Sequence, residues 1–111
     1  MRDFQALRKP LRPERIRTIP RSFSWIDRGI LHRGILAKLS HEETLLYFFL
    51  VLVAGPEGTS FWSHGHIAKL LKLTEDQVID ALRELLAKDL VAFHYPTYQV
   101  LSLPEAQHGH P

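Results

Sequence analysis

SHGHIAKLLKLTEDQVIDALRELLAKDLVAFHYPTYQVLSL, residues 63–103, decides the fold. Ile67, Leu70 and Leu71 recur at helical spacing, and Val78, Leu82, Leu85 and Leu86 do so again. A tight joint, Leu73-Thr74, separates the two helices, which should run to about Lys72 and about Lys88. From Leu90 the period switches to strand alternation, over 90–95 and again over 98–103, with Pro96-Thr97 between the runs. Pro96 is unusual for a two-residue hairpin turn, so the loop type stays open. Ser63 is placed to cap the first helix. Thr74 and Gln77 form a capping box for the second, where loss of the Thr74 hydroxyl should cost about 1 kcal/mol. Glu75 and Asp76 in that first turn suit the helix dipole.

Upstream, residues 40–43 read SHEE, a second capping box in which Ser40 accepts from a backbone amide and Glu43 reaches back. The helix it opens is apolar on every side from Leu45 through Val53, the pattern of full burial. In a chain of 111 residues that requires complete wrapping by other elements, or a second copy against one side. The apolar run of residues 45–54 is too short for a membrane span, which needs roughly 20 residues. Gly55-Pro56-Glu57-Gly58 ends the helix. Before it, Trp25, Ile26, Ile30, Leu31, Ile35, Leu36 and Leu39 follow one helical face, with Arg28, Arg33 and Lys38 pointing away. Gly29 and Gly34 each cost about 1 kcal/mol in a helix interior, so residues 23–39 form two short pieces or one interrupted helix.

Charge divides the chain. Its formal net charge is +2, yet residues 1–21 hold seven of the fourteen Lys and Arg against two acids, and are +5. The remaining ninety residues are −3. Pro10, Pro13 and Pro20 exclude a long helix there, so residues 1–21 are expected as an extended or disordered arm suited to phosphates. Residues 104–111 should be a loose tail. No apolar run follows the basic N-terminus, so no secretory leader is expected, and the lack of cysteine fits a reducing cytoplasm.

The block IAKLLKLTEDQVIDALRELLAKDLVAFH resembles the core of bacterial winged-helix domains, with Leu73-Thr74 at the joint and Leu85-Leu86-Ala87-Lys88-Asp89-Leu90-Val91 at the helix end. SHEETLLYFFLVLVA resembles a helix of the N-terminal domain of DnaD-type replication-initiation proteins, and small helix-turn-helix proteins of plasmids and mobile elements look similar. The resemblance covers residues 22–103. It implies an α+β winged helix-turn-helix domain of three or four helices with a two- or three-stranded antiparallel sheet, residues 59–62 giving a small first strand. It also implies DNA binding, with the second helix of the pair presented to the major groove. Here the sequence departs from the pattern. With Leu82 facing the core, Asp76, Asp80, Glu84 and Ala87 face outward, flanked by Gln77, Arg83 and Lys88. Positive charge must come from Arg8, Lys9, Arg12, Arg15, Arg17 and Arg21 in the arm and from Lys69 and Lys72, with Thr74 and Gln77 approaching the groove. Tyr98, near the wing tip, is the best exposed candidate for stacking on a base.

Other chemistry is poorly supported. His64-Gly65-His66 and His108-Gly109-His110 place histidines at i,i+2, where they diverge on a helix, so no metal and no cofactor is expected. There is no G-x-S-x-G, no P-loop and no G-x-G-x-x-G, and Asp80 with Glu84 reads as a solvated pair, so no enzyme activity is expected. The expected core is Ile35, Leu46, Phe49, Leu50, Val53, Ile67, Leu71, Val78, Leu82, Leu85, Val91, Phe93 and Leu101. Two functions follow. One is a cytoplasmic, double-stranded-DNA-binding protein acting as a transcriptional regulator or as a replication or mobile-element accessory factor. The other is a protein-interaction or dimerisation module whose partner docks on the Asp76/Asp80/Glu84 face. A homodimer fits both, and no membrane is involved.

Overall fold

Glycines and capping side chains set where the helices of this chain begin and stop. The computed structural model describes residues 9–105. Among them are four α-helices and a three-stranded antiparallel sheet, a small α+β domain. Gly34 adopts φ +75°, a left-handed turn that splits the 23–39 stretch. What remains is a single helical turn, α1 (Gly29–His32), and a 3₁₀ turn at Leu36–Lys38.

Helix α2 (His41–Val53) starts where Ser40 Oγ accepts from the Glu43 amide at 3.1 Å. The reciprocal half of that box does not form. The Glu43 carboxylate turns instead to Lys88, 3.2 Å away, and is buried there. Nor is α2 buried all round: Leu45, Phe48 and Leu52 line an exposed strip, because no described element lies over it.

Strand β1 (Thr59–Phe61) follows a tight turn held by Gly58, φ +84°, where an added Cβ would sit 2.7 Å from the Val100 carbonyl oxygen. Helix α3 (His64–Leu71) is capped by Ser63 and ends on Lys72, itself left-handed at φ 60°. Helix α4 (Glu75–Ala87) carries the complete box: Thr74 Oγ1 accepts from Gln77 N at 3.0 Å, and Gln77 Oε1 accepts from Thr74 N at 2.9 Å. The chain then forms the hairpin of β2 (Val91–His94) and β3 (Thr97–Val100). β3 is the central strand, so the order is β1-β3-β2.

The core lies where α2, α4 and the sheet converge. Leu46, Phe49, Leu50, Ile67, Val78, Leu82, Leu85 and Val91 are buried as expected, and Ile35, Val53, Leu71 and Phe93 pack against them half-buried. Leu101 is half-buried outside that cluster. Ile30, Tyr47, Ala68, Ala81, Leu90 and Tyr98 complete the core. α1 is pinned from the C-terminal side, where the Arg33 guanidinium donates to the Pro104 carbonyl. No described helix is long and apolar enough to cross a membrane.

Candidate nucleic-acid interface

The residues read from sequence as contacting nucleic acid fall into two groups. Lys9, Arg12, Arg15, Arg17 and Arg21 lie in a segment exposed at every position from 9 to 23, whose only regular structure is a 3₁₀ turn at Pro13–Arg15. That turn sets Arg12 Nε 3.0 Å from Glu14 Oε2, both well exposed. Lys9, Arg15, Arg17 and Arg21 make no ion pair with any described residue. Arg8 lies outside the described residues.

The second group gathers at the joint between α3 and α4. Lys69 and Lys72 are exposed on the last turn and the cap of α3, and Thr74 and Gln77 are exposed at the start of α4. Thr74 and Gln77 are already engaged with each other through the capping box, which leaves the Gln77 amide nitrogen to face outward. No hydrogen bond or ion pair among the described residues joins the arm to this corner. The arm meets the body at Ser24, whose hydroxyl donates to the Leu52 carbonyl at 2.7 Å.

Tyr98 is not an exposed stacking residue. It is 1% exposed, and its hydroxyl is hydrogen-bonded to Nδ1 of His64 at 2.5 Å. The turn is Tyr95-Pro96 rather than Pro96-Thr97, so Thr97 pairs with His94 and Tyr98 with Phe93. Directly opposed residues lie on one face of a sheet, and Phe93 packs against the core. Tyr98 therefore points into the core beside Phe93, with ring centroids 4.7 Å apart, and burial pushes its phenol up to about 12. The aromatic presented at the hairpin tip is Tyr95, 77% exposed.

The outer face of α4 is as acidic as its sequence implies. Asp76, Asp80 and Glu84 are all exposed. Their charge is partly offset: Arg83 lies 3.5 Å from Asp80, and Lys88 lies 3.1 Å from Glu84. A shallow groove of about 350 Å³ runs between this face and the start of α2, lined by Glu42, Glu43, Asp80, Arg83 and Glu84 among others. Arg28, Arg33 and Lys38 are exposed and extend the positive region beyond the arm, so that residues 9–38 carry eight bases against two acids, while residues 39–105 are net −5.

His64 and His66 do not share a direction: His64 engages Tyr98, and His66 stacks on Trp62 at 5.0 Å. His108 and His110 lie outside the described residues. No protein-family profile, curated protein or solved structure matches the chain.

Proposed function

We propose that this chain is a small DNA-binding protein of winged-helix type, a non-catalytic cytoplasmic regulator or an accessory factor of replication or mobile elements. The observation that carries the reading is the charge division: residues 9–38, net +6 with every Lys and Arg exposed, attached to a body that is net negative. Such a segment gains affinity for a polyanion by releasing the polyanion's counterions, whatever the base sequence. The order α3, joint, α4, hairpin supports the winged-helix part, because that order presents the start of α4 and the hairpin tip to a duplex. Lys69, Lys72 and Gln77 then meet the duplex at the start of α4, and Tyr95 replaces Tyr98 at the tip. The acidic centre of α4 makes base readout along its length unfavourable, so the arm supplies most of the affinity.

The test is a salt titration of the full chain on random duplex and single-stranded DNA. Lys9, Arg15, Arg17 and Arg21, which make no ion pair with a described residue, should contribute about −3.6 to the log–log slope on duplex. Changing Arg15, Arg17 and Arg21 to Gln should flatten that slope by about 2.7. Absence of binding at low salt would reject the reading. The groove between α2 and α4 favours a second reading, a basic protein partner held by Glu42, Asp80 and Glu84. In that case Asp80→Lys abolishes capture and leaves DNA affinity unchanged.

A further inference from the structure

One face of α2 lies open although its sequence is that of a buried helix. Leu45, Phe48 and Leu52 are 36%, 56% and 54% exposed. The bond from Ser24 to the Leu52 carbonyl anchors the adjoining extended segment at the end of this strip, and Phe23 and Trp25 on either side of Ser24 are 60% and 76% exposed. We propose that this face joins two copies of the chain through antiparallel α2 helices, with the two-fold axis near Phe48.

Three observations single out a second copy as the occupant. The first is area. Three aromatics and two leucines at these exposures present roughly 500 Å² of apolar surface. One side of a standard interface covers about 800 Å², of which about 56–65% is apolar, or roughly 450–520 Å². The second is symmetry. Phe48 lies within about 1 Å of rise from the midpoint between Leu45 and Leu52. A two-fold axis there sets Phe48 against its mate and Leu45 against the partner's Leu52, as a self-complementary patch requires. The third is charge. No ionisable group except the buried Tyr47 phenol occurs from Leu45 to Val53, so two strips meet without burying a charge.

The pairing has an electrostatic consequence. Arg21 stands two residues before Phe23, so a dimer carries two basic arms, rooted at opposite ends of the shared strip. Their repulsion opposes association, and salt relieves it by screening. The inference rests on the α2 face and holds whether or not the chain binds DNA.

Sedimentation equilibrium of the full chain, from micromolar to submillimolar, tests it. The expected result is a two-chain mass at the upper end, with the dimer tighter at high salt. Phe48→Glu should weaken the dimer by about 30-fold or more, as for a central interface residue. Leu70→Glu, a 51%-exposed position on α3, should leave it unchanged. Circular dichroism checks the fold of each variant, and Leu52→Lys reads the same face should Phe48→Glu not fold. A one-chain mass across the whole range overturns the inference, and so does a dimer that survives Phe48→Glu and Leu52→Lys. A dimer that loosens with salt would belong to a charged surface and also overturns it. Loss of DNA binding alone leaves these masses unaltered, so the two proposals fail separately.

Discussion

Lys88, just past the end of α4, sets its Nζ 3.2 Å from the Glu43 carboxylate at the start of α2, forty-five positions earlier. The same ammonium lies 3.1 Å from Glu84, one turn back on its own helix. Glu43 is thereby drawn away from the capping role its spacing suggests. A tertiary ion pair on a mostly buried carboxylate outweighs a local bond to an exposed amide, since hydrogen bonds to charged groups are about twice as strong as neutral ones. The pair ties the start of α2 to the end of α4.

The Glu43–Lys88 contact should show in acid. Burial pushes the Glu43 carboxyl up, but the bonds from Lys88 and Ser40 together outweigh it and hold the group below the usual carboxylate range. A carboxyl lowered by folding stabilises the fold above its unfolded value, and that contribution disappears as pH falls through the folded value. Glu43→Gln should therefore cost about 1–3 kcal/mol at pH 7, and the cost should shrink as pH falls below the usual carboxylate range. Urea unfolding followed by circular dichroism across the acid range measures the change.

Asp89 occupies the left-handed position after α4, φ 61°, where the Leu90 amide reaches back to the Leu85 carbonyl. Glycine meets no Cβ penalty there. Asp89→Gly should raise stability by about 0.5–1 kcal/mol, and Asp89→Val should lower it by more than that. Thermal unfolding gives the direct reading, at about 4–8 °C per kcal/mol for a domain of this size.

The buried Tyr98 phenol has one hydrogen-bond partner among the described residues, His64. Tyr98→Phe removes that bond and should cost about 1 kcal/mol, whereas Tyr98→Ala also opens a cavity and should cost about 3–5 kcal/mol. Because burial pushes the phenol up to about 12, the fold favours its protonated form. The associated stability is complete below the ordinary tyrosine value near 10 and is lost as pH rises toward the folded value. Alkaline titration at 295 nm should find one tyrosine that ionises only at about pH 12 or on unfolding, and this phase should be missing from Tyr98→Phe.

Much of this was legible in the chain itself, and what was not has definite causes. The phase of α4 was fixed by Val78, Leu82 and Leu85 alone, and Asp76, Asp80 and Glu84 face outward as that phase requires. Ser63 and Thr74 marked helix starts because their bonds are local. Glu43 misled because its partner is forty-five residues distant. Tyr98 misled because the expected core took Leu101 from this stretch, whereas Tyr98 and Val100, of the opposite parity, turn inward with Phe93. That one side of α2 could stay uncovered followed from its apolar run, but which side could not be read: Leu45, Phe48 and Leu52 are as apolar as their buried neighbours, and only the absence of a described element over them distinguishes the face.

The acidic face of α4 offers the sharpest test of how the domain meets DNA. Glu84 is a poor site for charge reversal, since a lysine there would stand beside Lys88 and break the Glu43 network. Asp76 and Asp80 are exposed, and only Asp80 has an ion-pair partner, the equally exposed Arg83. Such a surface pair contributes at most about 1 kcal/mol, so the fold should tolerate Asp76→Lys with Asp80→Lys. If α4 lies along the duplex, two new cations near phosphates should steepen the log–log salt slope by about 1.8 and tighten binding at low salt. If the slope and affinity stay at wild-type values while neutralising Arg15, Arg17 and Arg21 still weakens binding, the arm alone holds DNA and α4 is turned away from it. Filter binding of the double variant on random duplex, at several salt concentrations, separates the two outcomes.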